Sequence, residues 1–149
     1  MRRILLLLSV ILLIGFSASF AQQNSKPTAE AAPSQIPADA SAKVNPVKPT
    51  LEGLADAKKL YGYHCSMCHG KDGDGKGDLA EQMKLTLHDW RDANSISKMT
   101  DGDLFYIITN GRGKMVGGEG DRTKETLRWE LVNYVRLFGN KGTEPATSK

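Results

Sequence analysis

The sequence predicts an all-α domain of three main helices joined by long glycine-rich loops. Apolar residues recur every three to four positions in three segments, 51 to 64, 101 to 109 and 124 to 138, which lines them up along one helix face in each. The intervening chain carries glycine at 70, 73, 75, 77, 111, 113, 117 and 118 and has the composition of loop. Where the first helical segment ends stands the run Cys65-Ser66-Met67-Cys68-His69, and it dictates what the loops must enclose.

Ahead of the domain, Arg2 and Arg3 precede an uncharged apolar run from Ile4 to Phe16 and small residues at Ser17, Ala18, Ser19 and Ala21. This is the layout of a secretory signal peptide over residues 1–21, with cleavage expected after Ala21. Retained, the same stretch approaches the minimum length of a membrane anchor. Both readings put the domain outside the cytoplasm: exported to the periplasm, or anchored and facing it. Residues 22–50 are mainly Ala, Pro, Ser, Gln and Lys, with prolines at 27, 33, 37, 46 and 49 and no apolar periodicity. A disordered tether is expected there. A disordered tail is expected at 141–149, which leaves 51–140 as the working domain. The formal charge of +3 includes Arg2 and Arg3, and without them acids and bases nearly balance. No nucleic-acid partner is implied.

In the first helix Leu54, Ala57 and Tyr61 define the apolar face, and Glu52 lies in the first turn, where the helix dipole favours a carboxylate. Thr100 can cap the second helix with Asp103 three residues on, ahead of Leu104, Phe105, Ile107 and Ile108. Asn110-Gly111 supplies a left-handed stop. The third helix is the most periodic: Leu127, Leu131, Tyr134 and Phe138 form a stripe flanked by Trp129, Val132 and Val135. These aromatics are expected to pack the core.

Two cysteines two residues apart followed at once by histidine form the attachment signature of a c-type haem. The chemistry needs that spacing. The thiols add to two vinyl groups on one edge of the porphyrin, and the adjacent imidazole reaches the iron from the same segment, with Ser66 and Met67 spanning the gap. A thioredoxin-like dithiol expects a preceding strand in a βαβ unit and has no need of the trailing His. Structural zinc wants four ligands, commonly from two separated pairs, whereas this chain has two Cys and three His in all. Gly70 to Asp78 alternates Gly with Lys and Asp in the manner of a calcium loop, but Lys76 stands where the third ligand belongs and the closing Glu is missing. A tight turn is expected instead. One covalently attached haem c also fills and staples a domain of about 90 residues, whose own core is small.

His69 supplies one axial ligand, and the sixth position decides the chemistry. A second protein ligand makes an electron carrier; an open position admits small molecules or peroxide. The candidates are Met67, Met83, Met99, Met115, His64 and His88. Met67 and His64 are tied too closely to the attachment loop to cross to the opposite face. Met83 and Met99 fall within or beside apolar patterns, and His88 follows a polar loop. Met115, in the glycine-rich stretch from Asn110 to Gly118, can fold over the far face and is the first choice. Thioether ligation opposite imidazole raises the reduction potential relative to two imidazoles. Lys71, Arg112 and Lys114 either ring the exposed haem edge and steer an acidic partner, or are solvated loop charge beside Asp72, Asp74 and Glu119.

The stretch from Ala57 to Phe138 resembles a class I cytochrome c of the small, monohaem, exported bacterial type. The resemblance rests on Tyr61 four residues before Cys65, the Cys65-x-x-Cys68-His69-Gly70 core, the run from Thr100 to Gly111, Gly113-Lys114-Met115, and Trp129 to Arg136, in the family's order. It implies a cytochrome c-like fold wrapped around one haem, held by Cys65 and Cys68 with His69 and Met115 as axial ligands. It also implies first and last helices that cross, with Ala57 and Tyr61 facing Leu131 and Tyr134. The activity implied is one-electron transfer between extracytoplasmic redox proteins, membrane-bound ones included, by a carrier or small electron-transfer subunit rather than an enzyme. The alternative is a haem enzyme or gas-binding sensor whose sixth position is open or labile. Two positions depart from the pattern: Val116 stands where the family commonly has Pro, leaving that loop less rigid, and Ala57 where Gly often permits close helix contact.

Overall fold

The computed structural model describes residues 35–140. The expected signal peptide at 1–21, the first part of the tether at 22–34 and the tail at 141–149 lie outside the described residues. In chain order the elements are α1 (Ala38–Ser41), α2 (Leu51–His64), α3 (Ser66–His69), α4 (Asp78–Gln82), α5 (Ala93–Ile96), α6 (Asp101–Asn110), β1 (Gly111–Arg112), β2 (Met115–Val116), α7 (Glu119–Arg122) and α8 (Glu125–Gly139). The three expected helices are α2, α6 and α8. The others are four- and five-residue turns, too short for apolar periodicity to register. β1 and β2 form a two-stranded antiparallel hairpin with Gly111 opposite Val116 and Arg112 opposite Met115.

Thr100 caps α6 as expected: its hydroxyl accepts from the Asp103 amide at 3.0 Å while the Asp103 carboxylate accepts from the Thr100 amide at 2.8 Å. Gly111 stops the helix at φ 80°, but its ψ of 176° sends the chain out extended into β1 rather than around a left-handed turn. α2 begins on the Thr50 side chain, which accepts from the Gly53 amide, and packs chiefly against α8. Ala57 is fully enclosed, and the Tyr61 ring meets Tyr134 at 5.5 Å and Phe138 at 5.2 Å.

The most deeply buried residues of α8 are Leu131 of the expected stripe and its flanks Trp129, Val132 and Val135, joined by Arg128 and Glu130, while Leu127, Tyr134 and Phe138 are half-buried against the same core, so burial spreads beyond one side. The cause is a second neighbour. α8 is sandwiched between α2 and α6, where Phe105 stacks on Trp129 at 3.8 Å and the Arg128 guanidinium lies 5.0 Å over the Phe105 ring. Arg136 ties the loop before α6 to α8, donating to Asp101 and to the carbonyls of Ile96 and Met99.

The tether expected over 22–50 needs correction at its C-terminal end. Residues 35–50 lie against the domain as a strap: Ala40 is buried, the Thr100 hydroxyl donates to the Ser41 carbonyl at 2.7 Å, and the Ser41 hydroxyl donates to Asp103. Further on, Asn45 donates to the Trp129 carbonyl and to Asn133, which donates in turn to the Val47 carbonyl, and Val47 packs on the core. Gly102 is required here, since a Cβ on it would fall on the Ala40 carbonyl. A segment without periodicity can still be fixed by single side chains that each find a socket.

Candidate haem-attachment site

α2 delivers the attachment run. The Cys65 amide donates to the Tyr61 carbonyl as the helix ends, and the chain continues directly into the single turn α3, where the amides of Cys68 and His69 both return to the Cys65 carbonyl. Positions three apart on a helical turn share a face, so Cys65 and Cys68 are set on one side with His69 immediately beyond. The glycine loop then folds back beneath this turn. Gly75 donates to the His69 carbonyl at 2.9 Å and Gly77 to the Cys68 carbonyl at 3.1 Å. A Cβ on Gly77 would strike the Met67 carbonyl. Tyr61 closes the arrangement from above, donating its hydroxyl to the Gly70 carbonyl at 2.6 Å.

The His69 ring stacks on Trp90, centroids 4.2 Å apart and planes 19° apart. Its Nδ1 is buried with no hydrogen-bond partner. Burial pushes the imidazole down to about 4, so the ring is neutral at pH 7, the form that ligates a metal. Cys65 and Cys68 are not paired with each other in a disulfide. Burial first, then the negative charges of Glu119 and Cys68, pushes the Cys65 thiol up to about 12.

Of the candidate sixth ligands, Met67 is 55% exposed and Met83 47%, while Met99 packs against the core. His88 is exposed on the loop before α5. Met115 is half-buried on β2, an element apart from the attachment turn. His64 is engaged elsewhere, its Nδ1 2.8 Å from Glu119. Lys71, Arg112 and Lys114 are exposed, as either reading of them required. Glu119, counted among the surface loop charges, is 7% exposed and enclosed by partners. An open groove of about 720 Å³ runs beside α2 and the start of α8 past Leu60, His64, Leu127 and Glu130, and takes in none of Cys65, Cys68, His69 and Met115. Sequence reasoning missed Trp90 and the buried role of Glu119. An aromatic in a polar loop and an acid among glycines carry no spacing signal.

A family model described as cytochrome c matches residues 54–137, more than half of the chain. The chain belongs to the cytochrome c family, whose function is haem-based electron transfer, and accordingly binds haem c covalently. Among solved structures it is similar to the KustC0563 c-type cytochrome, at 31% identity over 56% of this chain and 96% of that one, with a TM-score of 0.49. It is also similar in fold to a chain of the Kuenenia stuttgartiensis reducing HAO-like protein complex Kustc0457/Kustc0458, at 23% identity and a TM-score of 0.51. That likeness covers 62% of this chain and 46% of the other, so this chain spans less than half its length. No curated protein matches the chain. The residues of the attachment turn fit the haem: two cysteines on one side that are not spent in a disulfide, a neutral imidazole next to them, and an enclosed ring nitrogen without a partner.

Proposed function

We propose that this protein is a one-electron carrier, or a small electron-transfer subunit, of the class I type. A single haem is bound through Cys65 and Cys68, with His69 and Met115 as axial ligands. The observation that carries the reading is the attachment turn itself, where two cysteines three apart and a half-buried imidazole with an enclosed Nδ1 share one helical turn braced from both sides. When bound, the haem supplies a one-electron couple at its iron. The chain holds it. Trp90 fixes the plane of the His69 ring by stacking, Tyr61 and Gly77 hold the backbone on either side of it, and the apolar faces of α2, α6 and α8 keep bulk water away. Lys71, Arg112 and Lys114 present positive charge to an acidic redox partner.

The spectrum of the ferric holoprotein tests this against a haem enzyme or gas sensor with a free sixth position. A six-coordinate low-spin iron with the weak far-red sulfur-to-iron band is expected, and Met115→Ala should abolish that band, turn the ferric iron high-spin and let the ferrous form bind carbon monoxide. A high-spin wild type would favour the enzyme or sensor. The proposal includes export to the periplasm with residues 1–21 removed. Among the described residues no helix is long and apolar enough to cross a membrane. Mass spectrometry of protein made with its own leader is expected to give a soluble chain beginning at Gln22; an intact N-terminus in a detergent-extracted fraction would mark a tethered form instead.

A further inference from the structure

Glu119 opens α7 four residues after Met115, and attachment of the haem does not account for its burial. Its Oε1 accepts from His64 Nδ1 at 2.8 Å and from Arg122 Nη2 at 2.9 Å, and its Oε2 accepts from the Thr123 hydroxyl at 2.6 Å. A carboxylate taken out of water needs such partners. Burial raises its pKa, but the hydrogen bonds of Thr123, His64 and Arg122 outweigh burial and hold the carboxyl below its ordinary value. Arg122 and Thr123 sit within four residues of Glu119 and satisfy it locally. His64 is 55 residues away in sequence, at the end of α2, and is the residue directly before Cys65.

Only Val116, Gly117 and Gly118 separate Met115 from Glu119. Met115 is held opposite Arg112 by the short β1–β2 pairing, and within the linker Val116 pairs with Gly111 and the Gly118 amide donates to the Thr109 carbonyl at 3.2 Å, all of which tie the loop to β1 and α6. Val116 and two glycines leave this linker with backbone freedom that a Pro would have removed. A loop so short and soft is placed by its anchors, and the anchor that crosses to the attachment segment is the Glu119 to His64 contact. We propose that Glu119 and His64 form a latch that clasps the Met115 loop to the haem-attachment segment, making Glu119 a positioning residue for the sixth ligand. The inference rests on the reading of Met115 as that ligand.

The test is a titration of ferric holoprotein with imidazole, following loss of the far-red sulfur-to-iron band. Imidazole competes for the iron only in the fraction of molecules whose loop has lifted, so its apparent affinity reports the latch. Glu119→Ala, which removes the acceptor, and His64→Phe are expected to bind imidazole about tenfold more tightly than wild type. His64→Asn, whose amide nitrogen can stand where Nδ1 stands, should stay within about threefold. Thr100→Ala, which weakens the α6 cap without touching the latch, should lower the melting temperature and leave imidazole affinity unchanged. Should Glu119→Ala load haem poorly, the pair of changes at half-exposed His64 carries the comparison. Wild-type imidazole affinity in His64→Phe and Glu119→Ala, with Met115→Ala lacking the band, would overturn the latch and leave the ligand standing. A band that survives Met115→Ala would overturn the ligand and the latch together.

Discussion

Gly77 holds the attachment turn by what it lacks. Its amide binds the Cys68 carbonyl, and the space a side chain would need is filled by the Met67 carbonyl. Gly77→Ala is therefore expected to cost about 1 to 3 kcal/mol, the range for forcing atoms into a filled site. Gly62→Ala, on the exposed side of α2 with open space around it, should stabilise by about 0.5 to 1 kcal/mol. Guanidinium unfolding of the two holoproteins measures both, and equal effects would show that the turn yields. Tyr61→Phe removes the bond to the Gly70 carbonyl and should cost about 1 to 2 kcal/mol by the same measurement. At this scale the sequence was legible in Cys65, Cys68 and His69, because covalent chemistry fixes their spacing. The apolar face through Tyr61 was legible too, but not its hydroxyl contact, which depends on how the glycine loop folds back.

α2, α6 and α8 were readable because each repeats its apolar residues over enough turns to show a period. The strap at 35–50 was not. It holds on through Ala40, Asn45 and Val47, residues with no pattern between them, and through backbone carbonyls paired with Thr100 and Asn133. Asn45→Ala removes donors to the Trp129 carbonyl and to Asn133, and is expected to cost about 1 to 2 kcal/mol in chemical denaturation. No change in stability would mean that the segment is the simple tether its composition suggests. Burial on α8 spreads past its predicted stripe and flanks to Arg128 and Glu130 for a related reason: periodicity finds one apolar side, and α8 has two neighbours.

Taken as a whole, the molecule should tolerate neutral pH well and acid poorly. Glu119 and Asp103 have carboxyls held below their ordinary values by hydrogen bonds that outweigh burial, and Asp89 is held down to about 2 by its hydrogen bond to Arg91. A carboxyl depressed in the folded state adds stability above its unfolded value and loses it as pH falls through the folded one. For Glu119 that loss starts near 4.5, its ordinary value, and deepens below it. The melting temperature of the holoprotein is expected to fall as pH drops below about 4.5, with a shallower fall in Glu119→Gln. An identical acid slope in that variant would remove Glu119 from the explanation.

The state of Cys65 also sets an order of events during maturation. Thioether formation needs a thiol that a vinyl group can reach, and a thiolate is far the better nucleophile. In the closed fold Cys65 is half-buried, packed against the core, and protonated up to about pH 12. A chain that docked α2 on α8 first would present its own cofactor with a poor nucleophile. Attachment is therefore expected to run faster on the open chain than on the closed fold, with the helix pairing following it.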